Sequence, residues 1–203
     1  MDTREKVIGH MIGRSVLRLE DARFLLGRGR FVADIDVAGQ LWGHVLRSPH
    51  AHAAIRGIDA RAARALPGVH GVFTAADLAA DGLGLMPCTA AVKPMIVPPR
   101  TALATGRARH VGDPVAFIVA ASAEIARDAA ELVEVDYEPL PAVVDLEDSL
   151  TDRIVIHDEL GTNKSYTWDL KIEGHEGQVA EAFANAAYTV SERYVQQRLI
   201  PMA

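Results

Sequence analysis

Apolar and polar positions change their spacing several times along the middle of the chain, and the changes predict strands alternating with helices. Runs rich in β-branched and aromatic residues predict strands. They lie at residues 41–47, 54–58, 69–74, 115–121 and 133–137. The run at 115–121 is apolar throughout, which is typical of a strand buried on both faces.

Helical spacing separates these predicted strands. Asp59 is expected to cap a short helix at residues 60–66, and Ser122 is expected to cap a longer one. The longer helix has one apolar stripe, formed by Ile125, Ala129, Leu132 and Val133. We expect this helix to pack on the sheet, which gives an α+β or α/β domain.

The flanking segments have weaker patterns. Residues 18–26 are predicted to be a short helix, and residues 31–37 alternate in part like a strand. Residues 82–109 contain several prolines and little periodicity, so they predict a long loop that we expect to face another domain or subunit. Near the end, residues 178–187 are predicted to be a helix, and residues 188–199 a strand with Tyr188, Val190 and Tyr194 on one face.

These patterns predict four successive parts of the chain. Residues 1–18 form an N-terminal arm, and residues 19–146 form the mixed domain. Residues 147–177 are polar and are interpreted as a linker. Residues 178–203 are too short for a domain of ordinary size and are interpreted as the start of a second one.

Composition narrows the class of protein. The chain has 203 residues, of which 49% are hydrophobic and 24% are charged, as in ordinary globular proteins. A formal net charge of −6 makes broad binding to nucleic acid a poor expectation. No apolar run approaches the ~20 residues of a membrane span, and the charged opening residues do not resemble a secretory signal. Cys88 is the single cysteine, which excludes an internal disulfide and fits the cytoplasm.

Two short motifs have both a chemical and a structural interpretation. His50 and His52 would share one face of a strand and could begin a metal site or, with Ser48, imitate a hydrolase triad. The alternative is a polar entry into a strand after Pro49. Residues 27–30 (Gly-Arg-Gly-Arg) could bind phosphate, but their spacing equally fits a helix end and a turn. Residues 82–84 (Gly-Leu-Gly) are a weaker signal of the same kind.

The remaining candidates are carboxylates and the cysteine. Glu134, Asp136 and Glu138 could do acid–base chemistry, yet their alternation also fits the wet face of a strand. Cys88 could be a nucleophile or simply an incidental loop residue. The remaining histidines are scattered through the chain: His10, His44, His70, His110, His157 and His175. We therefore predict no catalytic, cofactor-binding or metal-binding residue in this chain.

A series of longer blocks resembles one enzyme family. Residues 46–53 (Leu-Arg-Ser-Pro-His-Ala-His-Ala), 66–69 (Leu-Pro-Gly-Val) and 27–35 look like the opening of molybdenum hydroxylase large subunits. This is the family of xanthine dehydrogenase, aldehyde oxidase and carbon monoxide dehydrogenase. Residues 129–141 give the closest match. Residues 110–116 also match, although Asp113 stands where glutamate is common and His110 where an aromatic residue is common.

The resemblance implies a fold and a role. It implies an α/β hammerhead domain, followed by the beginning of a second, truncated molybdopterin-binding domain from about Asn163. Residues 197–203 resemble the run into the family's Pro-Met-Glu-Pro-Arg motif, and the sequence ends before that glutamate. The family's catalytic glutamate and cofactor loops lie further downstream, so no position here inherits a catalytic, cofactor or metal role.

Two functions follow as expectations. In the first, the chain is a structural scaffold in a molybdenum hydroxylase that oxidises a small substrate at molybdopterin. Its partners would be the remainder of the large subunit and the iron–sulfur and FAD subunits or domains. No cofactor is expected on this segment alone, and the 203-residue chain alone is expected to be inactive. In the second, the chain is a non-catalytic binding or assembly module that forms a homo-oligomer through exposed surface.

Overall fold

The computed structural model describes residues 13, 15, 18–89, 91–169, 174–175 and 177–196. The chain divides into two compact units. The first comprises Met1–Met86 and Thr101–Ala142, and the second comprises Pro87–Arg100 and Val143–Ala203. Most of the predicted arm at 1–18, His10 and residues 197–203 lie outside the described residues. The domain boundaries expected from the sequence stay predictions.

Two antiparallel sheets of three strands make up the first unit. The first sheet has the order β1 (Trp42–Arg47), β5 (Pro114–Ala120), β3 (Val69–Thr74). The second has the order β4 (Arg107–Ala108), β2 (Ala53–Asp59), β6 (Glu134–Pro139). The strands predicted at residues 41–47, 54–58, 69–74, 115–121 and 133–137 are therefore confirmed with shifts of one or two residues at their ends.

Helices cover one face of the first sheet. They are α2 (Arg61–Ala65) and α4 (Ala123–Glu131), and α3 (Ala75–Ala80) follows directly after β3. The core between them is made mainly of small side chains: Ala60, Ala63, Val72, Ala116, Ile118, Ala120, Ala126, Ala129, Ala130 and Val133. Small residues let the helices lie close to the sheet, so the domain packs densely without large aromatic side chains.

The longer helix begins as its sequence predicts. The Ser122 hydroxyl accepts a hydrogen bond from the backbone N–H of Ile125 at 3.2 Å, which satisfies one free donor of the first turn. The predicted stripe is only partly right, because Leu132 is exposed while Ala126 and Ala130 are buried. The cap of α2 also differs, since Ala60 rather than Asp59 occupies the capping position.

Two predictions about this unit are wrong. Residues 31–37 do not form a strand, because the Asp34 carboxylate accepts the backbone N–H of Phe31 and turns Val32–Asp34 into a 3₁₀ helix. The helix that precedes this segment, α1, comprises Asp21–Leu25.

The second wrong prediction concerns β5. Its Phe117 is 38% exposed, so the strand is not buried on both faces.

The second unit has little regular structure in its described part. It contains α5 (Leu146–Ser149), a 3₁₀ helix at Asp158–Leu160 and α6 (Gln178–Ala184). Residues 188–196 form neither helix nor strand, so the strand predicted at 188–199 is wrong wherever the structure describes it. Residues 197–199 of that prediction lie outside the described residues.

Candidate functional site

The corner between the two sheets holds the histidine motif. The chain leaves β1 at Arg47 and enters β2 at Ala53, crossing from the first sheet to the second. Backbone bonds pin this crossing: the Ser48 N–H donates to the Asp113 carbonyl at 2.9 Å, and the Gly112 N–H donates to the Ser48 carbonyl at 2.8 Å. Gly112 has a φ of +86°, which glycine adopts without strain.

His52 is buried at this corner and ties it to the chain after β6. Its Nδ1 lies 2.7 Å from the carbonyl oxygen of Pro141, and its own carbonyl accepts the Leu140 N–H at 2.9 Å. Because a carbonyl can only accept, Nδ1 carries the proton. The other ring nitrogen, Nε2, is buried without a hydrogen-bond partner. The ring therefore works here as a structural clamp.

Neither the metal pair nor the serine triad forms at this corner. His50 and His52 precede β2, so they do not share one face of a strand, and that prediction is wrong. The His50 ring instead lies 4.8 Å from the Tyr137 ring. The Ser48 hydroxyl accepts a hydrogen bond from the backbone N–H of His50 at 3.1 Å. This is the geometry of a turn, and the structural interpretation of the motif holds.

Tyr137 and Asp113 complete the corner. Burial raises the pKa of the Tyr137 hydroxyl, a hydrogen bond with the Ser48 side chain opposes the rise, and the Asp113 charge adds to it. The Asp113 carboxylate accepts the backbone N–H of Arg109 at 2.9 Å and lies 3.7 Å from Nδ1 of His110. The carboxylate thus shapes the turn that enters β5.

The carboxylates of β6 lie on its exposed side. Glu134, Asp136 and Glu138 alternate with the partly buried Val135 and Tyr137, and Glu138 pairs with Arg56 on the neighbouring strand. The wet-face interpretation is therefore confirmed. Asp59 and Glu134 border an open groove of about 430 Å³ beside this strand. 

Arg61 holds the carboxylate of Asp59 at one end of that groove. The Arg61 guanidinium donates to both oxygens of Asp59 at 2.6–3.0 Å. These hydrogen bonds lower the pKa of Asp59 to about 2. The carboxylate therefore stays charged and is unsuited to take up a proton near neutral pH.

The glycine–arginine motif is a helix end. Gly27 follows α1 with a φ of +67°, and a side chain at Gly29 would lie 2.8 Å from the Phe24 ring. Phe24 and Phe31 stack across this turn with ring centroids 5.4 Å apart. The turn interpretation of residues 27–30 is therefore the right one. Cys88 is an exposed free thiol in the second unit.

Sequence patterns missed a hydrogen-bond network around Asn163 in the second unit. The Asn163 amide donates to the Ile154 carbonyl at 2.7 Å and to the Ser149 carbonyl at 3.2 Å, while its oxygen accepts the Ile156 N–H at 2.9 Å. Asp152, at a φ of 53°, accepts the Asn163 N–H at 2.7 Å. The available sequence signal for this network was its short Asp, Thr and Asn side chains, because such side chains readily form hydrogen bonds with backbone groups.

A cavity of about 250 Å³ adjoins this hydrogen-bond network. Its apolar lining includes Ile96, Val143, Ile156 and Leu160, and its polar lining includes His157 and Lys164. Nδ1 of His157 lies 3.1 Å from a carboxylate oxygen of Glu159. Across the described ranges, three or more His, Cys, Asp and Glu side chains nowhere gather as a metal-binding group.

The helices of the described residues are too short or too polar to cross a membrane.

Comparison with known proteins identifies the first unit. A family model described as "Aldehyde oxidase and xanthine dehydrogenase, a/b hammerhead domain" matches residues 26–141. Among curated proteins, the chain is 39% identical over 191 residues to the nicotine 6-hydroxylase large subunit of Paenarthrobacter nicotinovorans, covering 91% of this chain and 22% of that protein. It is 34% identical over 213 residues to the carbon monoxide dehydrogenase large chain of Hydrogenophaga pseudoflava, covering 98% and 25%.

The fold agrees with solved relatives as well. The crystal structure of the Cu,Mo-CO dehydrogenase matches with a TM-score of 0.56 and 44% sequence identity, covering 68% of this chain and 17% of that one. The chain thus spans a quarter or less of the length of these relatives. The corner at residues 47–53 and the strands around it all fall inside the matched family segment. The chain therefore belongs to the aldehyde oxidase and xanthine dehydrogenase family, as a carrier of its α/β hammerhead domain.

Proposed function

We propose that this chain is the hammerhead-bearing segment of a molybdenum hydroxylase large subunit. The observation that carries the proposal is the family match across residues 26–141, which spans both sheets of the first unit. The relatives are named for the oxidation of small molecules such as nicotine and carbon monoxide. When bound, a molybdopterin cofactor would supply the redox chemistry of such an enzyme, with oxygen from water and two electrons passed onward.

The two grooves of the first unit do not fit that cofactor. An anionic pterin requires converging cations or N–H donors. The groove beside β6 instead presents Asp59, Glu134 and Asp136. A second groove of about 470 Å³ contains Arg64, but its guanidinium already donates to the Val72 carbonyl at 3.0 Å and lies 3.6 Å from Asp77. We therefore assign no step of the reaction to these residues.

The role of this chain in the proposal is structural. The His52 clamp and the paired backbone bonds of Ser48 hold the two sheets at a fixed corner. A rigid domain of this kind positions neighbouring parts of a large subunit without touching the substrate. The proposed partners are the remainder of the large subunit and the iron–sulfur and FAD subunits, in the cytoplasm.

Elemental mass spectrometry on the natively purified protein tests the proposal. We expect near-stoichiometric molybdenum together with larger co-purifying polypeptides that a gel resolves. A matched preparation of the 203-residue chain expressed alone is the control, and we expect no oxidase activity from it. A native protein without molybdenum and without partners would contradict the proposal, and a stable homo-oligomer would favour the assembly module.

A further inference from the structure

The strand β3 lies at one end of the first sheet, so one of its edges has no neighbouring strand in that sheet. An open groove of about 470 Å³ borders the strand and is lined by residues 69–73 together with Arg64 and Asp77. An unpaired edge presents backbone N–H and C=O groups that a strand of another chain can bind. This edge therefore needs protection if copies of the chain are to stay apart.

The side chains of β3 itself give no such protection. The strand reads Val-His-Gly-Val-Phe-Thr, with no lysine, arginine, aspartate, glutamate or proline among its residues. Valine, phenylalanine and threonine favour strands because they pack well on a pleated surface. A short segment with a high strand preference, low charge and no proline is the kind that pairs with copies of itself. Protection of this edge must therefore come from residues outside β3.

Two side chains from the adjoining helices bind backbone groups of β3. The Arg64 guanidinium, on α2, donates to the Val72 carbonyl at 3.0 Å. The Asp77 carboxylate, on α3, accepts the Thr74 N–H at 2.7 Å. The N–H and C=O of a residue in an antiparallel strand point to the same side, and that side alternates along the strand. Val72 and Thr74 are two residues apart, so both bonds lie on the same, unpaired edge.

The two side chains also contact each other. A guanidinium nitrogen of Arg64 lies 3.6 Å from a carboxylate oxygen of Asp77, with the two side chains 48% and 38% exposed. An ion pair this exposed adds little stability by itself. Its effect is on position, because it holds the guanidinium beside the Val72 carbonyl from the side opposite α2. The guanidinium thus occupies the place at Val72 where the N–H of an added strand would bind.

We propose that Arg64, held by Asp77, blocks the edge of β3 against pairing with the same strand of a second copy of this chain. A second copy is the partner that the sequence of β3 favours, because two identical strands can lie antiparallel about a two-fold axis and neither carries a charged residue that would oppose the pairing. The inference goes beyond the proposed function, since it concerns how copies of the chain stay apart and involves no cofactor.

Sedimentation of matched variants of the natively purified protein tests the block. Arg64→Ala removes the guanidinium from the edge. Arg61→Ala removes the same charge from the same helix, but Arg61 binds Asp59 rather than β3. Over a series of concentrations, we expect Arg64→Ala to self-associate beyond the wild-type assembly, with a dissociation constant at least about tenfold lower than that of the wild type. Arg61→Ala should differ from the wild type by less than about twofold.

Amide hydrogen exchange locates the contact between copies. Peptides that cover residues 69–74 are followed in Arg64→Ala at low and at high protein concentration. We expect exchange there to slow at least about tenfold as the protein associates, because strand pairing gives the edge amides hydrogen-bond partners. Strand β6, at one end of the second sheet, is the internal control, and its exchange should not change with concentration.

A second pair of variants covers the case in which Arg64→Ala loses its fold. Arg64→Met keeps an unbranched side chain on α2 but has no N–H donor for the Val72 carbonyl. Arg61→Met is its control, since it adds the same apolar group to the same helix. Urea denaturation shows which variants are folded, and the folded pair should differ in self-association as the alanine pair does.

Each result either supports the block or overturns it. Equal association of the Arg64 and Arg61 variants would overturn it, because loss of charge alone would then be the cause. Association of Arg64→Ala without slower exchange at residues 69–74 would also overturn it, since the copies would meet elsewhere. Slower exchange there without a gain in mass would mean that a strand of the same assembly, rather than a second copy, takes the edge. None of these results depends on molybdenum content, so the proposed function is tested separately.

Discussion

The Thr74 and Asp77 side chains show how one carboxylate fixes the start of a short helix. The Asp77 carboxylate accepts the Thr74 hydroxyl and the Thr74 backbone N–H, each at 2.7 Å. The hydroxyl bond is the main cause that lowers the pKa of Asp77 below its ordinary value, and the backbone bond and Arg64 add to the effect. Reciprocal capping of this kind fixes the direction in which α3 leaves β3.

A pH-dependent contribution to stability follows from this cap. Because the pKa is lowered by folding, the contribution is present above the unfolded value of 3.8 and is lost as pH falls through the folded value. Asp77→Asn should therefore flatten the acid limb of the stability curve below about pH 4. Chemical denaturation at a series of pH values measures the free energy of unfolding of both proteins. Asp81→Asn is the control, and an equal effect of the two substitutions would contradict the cap.

Gly68 is a second single residue that we expect to affect stability, because its backbone conformation favours glycine. Its φ of +88° lies in the left-handed region, and a Cβ there would meet Ile125 Cδ1 at 2.9 Å. We expect Gly68→Ala to lower the free energy of unfolding by about 1–2 kcal/mol. Gly57→Ala is the matched control, since nothing lies within 4 Å of its Cβ position. Equal stability of the two variants in urea denaturation would show that the Gly68 turn relaxes freely.

Single residues also mark the limit of sequence reasoning. The cap at Ser122 was predictable because its partner is three residues away. The role of His52 was not, because its partner carbonyl lies 89 residues further along the chain. Local spacing therefore left a metal pair open beside a structural alternative, and long-range folding produced a clamp. Asn163 escaped notice for a similar reason, since its bonds reach up to 14 residues away.

Helix α4 is the element that most clearly connects sequence to packing. Its period predicted a buried face, and Ala126, Ala129 and Ala130 are buried against the first sheet. The larger Leu132 is exposed, because the helix ends there and the chain turns toward β6. Periodicity thus predicted helix α4, but the close approach of its alanines to the first sheet was visible only in the structure. The wrong strand at 31–37 arose where a local Asp34 cap overrode alternation.

The alanine face of α4 can be tested by enlarging one residue. Ala129 has no exposed surface, so Ala129→Leu would force extra volume between helix and sheet. We expect a loss of about 1–3 kcal/mol in the free energy of unfolding. Arg127→Leu is the control, since Arg127 lies on the exposed side of the same helix. A stable Ala129→Leu variant with unchanged cooperativity in urea would mean that the helix is free to move away from the sheet.

At the scale of the whole molecule, the long loop at residues 82–109 belongs to both units. Its middle, Pro87–Arg100, groups with the second unit, whereas residues 82–86 and 101–109 belong to the first. Within the second unit, the Ile96 N–H donates to the Ser165 carbonyl at 2.8 Å, and the Ser165 hydroxyl donates to the Ile96 carbonyl. The sequence predicted a loop, but its pairing with residues 69 positions away was not visible in local patterns.

The same loop provides a prediction for the assembled enzyme. Leu83 and Leu85 are 62% and 61% exposed, and neighbouring exposed apolar side chains of this kind mark a contact surface. We therefore expect thermolysin, which cleaves beside exposed apolar residues, to cut the isolated chain near residues 83–86. In the intact native complex, the same site should be cut at least about tenfold more slowly, because a protease needs local unfolding to reach a covered segment. Leu83→Ser with Leu85→Ser controls for loss of the protease's preferred residues. Equal cleavage of the loop in the complex and in the free chain would show that the loop faces solvent rather than another domain or subunit.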